Sequence, residues 1–189
     1  ELTALNEHLR AGARLLSICG PTGVGKRRIA LELAAQQLEL SPGGTWCADL
    51  SDCQDGYGLY SAVGRTLGVA LTQPDPVAQI GNALLGRGRI MLVMTNLQTA
   101  SNEVSQAIES WLKRAPDARL LVTSTEPLAH TEAQILPLDP LPEVGASTLL
   151  RSRVGPGVAD IGDALRMAQG IPLCLEILAP LVAEIPQET

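Results

Sequence analysis

The chain has 189 residues, 14 Lys and Arg against 20 Asp and Glu, a formal charge of −6 at pH 7 and a hydrophobic fraction of 46%. That length suits one ordinary domain with room for a small appendage, and the apolar content excludes a disordered tail. The acidic balance and an aromatic content of 2% argue against a nucleic-acid module built on phosphate contacts or base stacking. Every apolar run is broken by charge or by Pro and Gly before it reaches the length of a membrane span.

The amino-terminal residues lack a signal-peptide layout and read as the cut edge of a longer chain. Glu1–Ala11 is expected to be a short helix, with Leu2, Leu5 and Leu9 on one face. Arg14–Cys19 is an apolar strand ending at Gly20, and Gly25–Leu38 a helix with Ile29, Leu33 and Ala34 along one stripe. The turn Ser41–Gly44 leads into a second strand, Thr45–Leu50. Two helices follow, Tyr57–Leu67 with Gly68 as C-cap and Pro74–Leu85 closed by Gly86. Arg89–Met94 is continuously apolar and therefore a central strand covered on both faces. A helix capped by Ser101 runs to Lys113, followed by strands Arg119–Thr123 and Ala133–Leu138. Beyond the linker marked by Pro137, Pro140 and Pro142, two or three helical segments are expected, over Glu143–Val154, Val158–Gln169 and Pro172–Val182. Strands alternating with helices indicate a parallel α/β sheet. There is no internal repeat.

The four cysteines form no CxxC pair. Cys19, Cys47 and Cys174 lie in apolar segments and read as buried free thiols, which fits a reducing, cytoplasmic compartment. His8 and His130 stand alone and suit surface or capping roles. Asp49, Asp52 and Asp55 read as a solvated loop after the second strand, Met91 and Met94 as strand core, Trp111 as helix packing, and Arg151 and Arg153 as surface charges.

Gly20, Pro21, Thr22, Gly23, Val24, Gly25 and Lys26 spell the G-x-x-x-x-G-K part of the phosphate-loop pattern, placed after a strand and opening a helix. Glycines let backbone N–H groups converge on an oxyanion, and the helix N-terminus adds about half a positive charge there. In that pattern the lysine reaches the β- and γ-phosphates and the next residue is Ser or Thr, whose hydroxyl ligates Mg²⁺. Here the next two residues are Arg27 and Arg28, neither of which coordinates a cation.

Five stretches, in order, carry a wider resemblance: Leu15–Ala30 with the phosphate loop, Gly44–Leu50, Arg89–Leu97, Leu120–Leu128 with its Thr-Ser-Thr, and Gly170-Ile-Pro-Leu-Cys-Leu-Glu176. Over nearly its whole length the chain resembles the nucleotide-binding domain of STAND-class P-loop ATPases, in particular the ATPase domain of bacterial AfsR/LuxR-type regulators, related to NB-ARC domains. The resemblance implies a three-layer P-loop NTPase fold with a five-stranded parallel sheet over residues 1–138. A small helical subdomain carrying the Gly-x-Pro motif would begin over 139–189. It also places Pro172 near a base or ribose.

Three positions depart from the family together. The Walker B acid falls at Thr95, the sensor arginine at Thr125 and the metal-ligating hydroxyl at Arg27. With no oxygen left in these motifs to place Mg²⁺, no catalytic residue and no metal ligand is assigned, and ATP hydrolysis is expected to be negligible. Two readings stay open. Either Arg27 substitutes for the cation, so that ATP, ADP or a free phosphate or sulfate binds without Mg²⁺. Or Arg27 and Arg28 pair with nearby carboxylates and the domain is an apo scaffold. The expected role is a degenerate regulatory domain of a larger bacterial signalling or transcription-regulating protein. Its partners would be other domains of the same chain or other proteins, with an oligomeric state among them, and neither nucleic acid nor membrane. The competing reading is a slow ATPase switch with a relocated metal site at Asp49 or Asn96.

Overall fold

The computed structural model describes residues 1–53, 55–72, 74–97, 102–155 and 160–184. Five parallel strands form one sheet: β1 (Leu15–Cys19), β2 (Thr45–Asp49), β3 (Met91–Leu97), β4 (Arg119–Ser124) and β5 (Ala133–Pro137), in the order β2-β3-β4-β1-β5. Position in the sheet explains the strand sequences. β1 and β4 are interior and almost wholly buried, so most of their residues are apolar on both faces, with Ser17, Thr123 and Ser124 buried among them. β2 and β5 are edges and carry exposed residues, Cys47 and Asp49 on one and Gln134 and Ile135 on the other. Cys47 is therefore exposed rather than buried, because an edge strand leaves part of its pleat uncovered; Cys19 is buried and Cys174 half-buried, and all are free thiols.

β3 is interior, as its apolar run implied, but it starts two residues later than expected and continues to Leu97. The extension contains an irregularity. The β3–β4 register shifts between Met94 and Leu97, and Asn96 sits there at φ 62°. This is a bulge-like kink at the carboxyl end of the strand.

The chain divides into two compact units, Glu1–Gly20 with Lys26–Pro137, and Pro21–Gly25 with Leu138–Thr189. The first holds the sheet with α1 (Leu2–Arg10), α2 (Lys26–Gln36), α3 (Gly56–Leu67), α4 (Pro76–Arg87) and α5 (Asn102–Arg114). The α2 helix ends before Leu38 because the Leu38 and Leu40 amides turn back to Ala35 and Gln37, tightening the chain into turns. Asp75 caps α4, accepting from the Ala78 amide with Pro76 in the first turn, and the helix passes through Gly86 to stop at Gly88. Asp55 caps α3 and Gly68 closes it in the left-handed conformation. The expected cap Ser101 lies outside the described residues.

The main core lies on one sheet face. Leu15, Leu92, Met94, Leu120 and Val122 meet Leu59, Val63, Ile80, Leu84, Ile108 and Trp111 from α3, α4 and α5. Trp111 is fully buried, packs edge-on against Tyr60 with ring centroids 6.4 Å apart, and donates its indole N–H to the Val77 carbonyl at 3.0 Å. On the other face Leu16, Ile18, Val93 and Leu121 are buried, and α2 contributes Ala30, Leu33 and Ala34.

The second unit holds α6 (Glu143–Val154), α7 (Gly162–Ala168) and α8 (Pro172–Glu184) around Ala146, Leu150, Ala164, Ala168, Leu175 and Ala179. The α7 helix begins later than expected, after Asp160 accepts from the Gly162 amide; residues 156–159 lie outside the described residues. Gly170 follows α7 at φ 74°, and a Cβ there would stand 2.3 Å from the Leu141 carbonyl oxygen, so the glycine of Gly-x-Pro is required by the backbone. No helix among the described residues is long and apolar enough to cross a membrane.

Because Trp111 fills the centre of the main core, Trp111→Ala is expected to cost about 3–5 kcal/mol. Trp111→Phe, which keeps most of the ring but strands the Val77 carbonyl, should cost about 1–3 kcal/mol. Urea unfolding followed by far-UV circular dichroism checks both, through the midpoint at unchanged slope.

Candidate functional site

The loop from Gly20 to Lys26 leads from the carboxyl end of β1 into α2, where the sequence pattern placed it. Gly20, Gly23 and Gly25 all have positive φ, at 149°, 82° and 106°. Pro21 and Thr22 are exposed, whereas Val24 is buried and its amide turns back to the Pro21 carbonyl at 3.4 Å.

Residues Pro21–Gly25 pack within the second unit. Pro172 opens α8, a position that costs nothing because the first amides of a helix lack partners. The next amide, Leu173 N–H, is satisfied by the Gly23 carbonyl at 3.2 Å. The contact is close. A Cβ on Gly23 would lie 2.9 Å from Leu173 Cβ and 3.0 Å from Ile171 Cγ2. The structure thus brings the loop and the Gly-x-Pro segment together, through the residues flanking Pro172.

The remaining site residues belong to the first unit. Lys26 Nζ donates to the Gly20 carbonyl at 2.7 Å, and burial draws its ammonium below the ordinary lysine value. Arg27, in the first turn of α2, donates from Nη1 to Asp49 Oδ2 at 2.5 Å. Arg28 is exposed and joins no ion pair among the described residues.

Asp49 is the last residue of β2 rather than part of a solvated loop, because β2 stays paired with β3 as far as Thr95. Its Oδ1 accepts from Asn96 Nδ2 at 3.0 Å and from the Ser51 amide at 3.1 Å. Asp52 lies exposed in the following turn. Asn96 reaches Asp49 from the kink in β3, and its own amide donates to Thr123 Oγ1 at 3.1 Å. The Asn96 hydrogen bond, with those of Ser51 and Arg27, holds the Asp49 carboxyl down at about 2.

Thr95, where the family acid would fall, is fully buried and its hydroxyl lies 3.5 Å from the Ala48 carbonyl. A carboxylate stands one strand away, on Asp49, the direct register partner of Thr95. Thr125 is exposed, just beyond β4. Among the described residues no group of three or more His, Cys, Asp or Glu side chains could hold a metal ion.

Sequence reasoning found Arg27 and weighed Asp49 and Asn96, but the kink that turns Asn96 toward Asp49 had no visible signal. Asn is a residue that tolerates left-handed backbone, so the identity is compatible with the kink without announcing it. The Gly23–Leu173 contact likewise joins segments far apart in sequence.

No family model matches the sequence. An uncharacterized protein of Mycobacterium tuberculosis is 26% identical across 90% of this chain and 46% of its own length, and an M. bovis protein matches equally. An M. tuberculosis protein whose name assigns it provisionally to the HTH-type transcriptional regulators is 25% identical across 92% of this chain and 21% of its own length. The chain thus spans less than half of the curated relatives it matches. Among solved structures, a STAND protein (signal transduction ATPase with numerous domains) with a tetratricopeptide repeat sensor from Pyrococcus horikoshii superposes with TM-score 0.62 at 16% identity. That match covers 99% of this chain and 30% of the other. Cdc6p from Pyrobaculum aerophilum superposes with TM-score 0.65 at 12% identity, covering 94% of this chain and 52% of the other. The fold is P-loop NTPase-like. The five-stranded parallel sheet and the position of the glycine loop between β1 and α2 are as the sequence implied.

The depressed Asp49 carboxyl sets a pH signature. An acid held below its unfolded value of 3.8 contributes stability above that value, and the contribution is lost as pH falls toward about 2. Asp49→Asn should therefore lower stability at neutral pH by up to about 1 kcal/mol, the pair being partly exposed. The deficit should shrink between pH about 4 and pH about 2. Thermal melts of both proteins across that range check it.

Proposed function

We propose that the chain is a regulatory or scaffold domain of a longer bacterial signalling or transcription-regulating protein, in which the phosphate loop is kept as architecture and ATP hydrolysis has been lost. The observation that carries this reading is the Arg27–Asp49 ion pair. It puts a guanidinium where the loop pattern calls for a metal-ligating hydroxyl, and it engages Asp49, the carboxylate that ends β2.

The donors present do not fit Mg²⁺. Such an ion needs several hard oxygens in near-octahedral array. Position 27 supplies a cation, the Thr95 hydroxyl is buried against a backbone carbonyl, and both Asp49 oxygens already accept hydrogen bonds. Phosphoryl transfer depends on charge neutralisation between the β- and γ-phosphates, so hydrolysis is not expected without it. The likeness to a provisionally named HTH-type regulator supports a place in transcription control, in the cytoplasm, with the partners in other domains of the same chain or in other proteins.

A second reading keeps nucleotide or anion binding without Mg²⁺. The positive-φ glycines ahead of the 11-residue helix α2 favour it, since glycines in such a loop let backbone amides turn toward an oxyanion.

Melting the chain with ATP or ADP, each with Mg²⁺ or EDTA, separates the readings. Ligand at a hundred times its dissociation constant adds about 2.7 kcal/mol, a shift of several degrees for a domain of this size. No shift, together with no Lys26-dependent single-turnover hydrolysis, is the expected outcome. An equal shift with and without Mg²⁺ would favour the anion reading. A Mg²⁺-dependent shift with hydrolysis lost in Lys26→Ala would overturn the proposal in favour of a slow ATPase with a relocated metal site.

A further inference from the structure

Arg119, the first residue of β4, carries its charge without a counter-ion among the described residues. Its side chain is half-buried, yet its partners are neutral: Gln37 Oε1 at 3.2 Å and the Leu9 carbonyl at 3.4 Å. Neither Arg119 nor the nearby Arg10 meets a carboxylate among the described residues, and unlike Arg87, which lies over the Trp46 ring, both open onto one groove. A guanidinium withdrawn from water without a counter-charge is costly, and it has five N–H donors to satisfy.

The two arginines line a groove of about 280 Å³ between α1 and the end of α2, and among the described residues no Asp or Glu lines it. Leu9 and Leu40 give it an apolar side. An amide network fixes its geometry. Asn6 Nδ2 donates to the Leu2 carbonyl at 3.0 Å and to Gln36 Oε1 at 2.8 Å, and Asn6 Oδ1 accepts from Gln37 Nε2 at 3.1 Å. This orients the buried Gln37 so that its oxygen faces Arg119. The guanidinium is thus held in place with donor capacity to spare.

We propose that this groove binds a small organic carboxylate, an acid of a few carbons whose carboxylate is held by Arg119 and Arg10 and whose methylenes lie on Leu9 and Leu40. A planar carboxylate matches the fork of a guanidinium, and the apolar side favours a carbon chain over inorganic phosphate. The site is distinct from the phosphate loop. It stands at the carboxyl end of α2, whose 11 residues span about 16 Å from Lys26.

The test is a titration of the whole chain with sodium glutarate at low ionic strength, following the side-chain amide signals of Asn6, Gln36 and Gln37 and the Arg119 Nε–H by ¹⁵N–¹H NMR. Saturable shifts of these signals are expected. They should weaken about tenfold or more in Arg10→Gln and Arg119→Lys, and persist in Lys26→Ala. Arg10 is exposed, so its variant keeps the fold even if an Arg119 variant does not. The proposal is overturned by the absence of a saturable shift at tens of millimolar glutarate, or by shifts unchanged in both arginine variants. It is equally overturned if phosphate or chloride at matched ionic strength gives the same shifts.

Discussion

A parallel sheet has to be covered on both faces, and the rest of this structure depends on how the chain meets that demand. Each strand must return to the same end of the sheet before the next begins, so helices are forced onto both faces. That requirement spends the apolar residues of α2 on one face and those of α3, α4 and α5 on the other. It also gathers the carboxyl ends of the strands at one end of the sheet. Polar residues of β2 and β3 are collected there, Asp49 and Asn96 among them.

At that end the chemistry is self-contained. Arg27 and Asp49 answer each other's charge, Asn96 secures the carboxylate, and the Thr95 hydroxyl turns inward. The pair is partly exposed, so its effect on stability is small.

The fold was readable from periodicity. The continuous apolar run of β3 and the alternation of strands with helices led to a parallel sheet with a central β3. Boundaries were less legible where turns and caps compete. Gly86 resembles a stop signal, but Gly88 two residues later has the cap geometry, and a short extension of α4 is cheaper than breaking it early. The candidate site was half readable. The glycine loop and Arg27 were visible as a pattern and its violation. The partner of Arg27 was not fixed, because a carboxylate at the end of an edge strand and one in the following turn look alike in sequence. The kink at Asn96 depends on a register shift with β4, which no local signal encodes.

The hydrogen bond from Leu173 to the Gly23 carbonyl bears on how the second unit is assembled. Five of its residues, Pro21–Gly25, come from the beginning of the chain, and the remainder starts at Leu138. The intervening chain must be drawn into a closed loop before α8 gains the acceptor for its second amide, and such closure carries an entropic cost. The helical unit is therefore a discontinuous body. A fragment starting at residue 138 would contain all three of its helices and still lack the piece that finishes the first turn of α8.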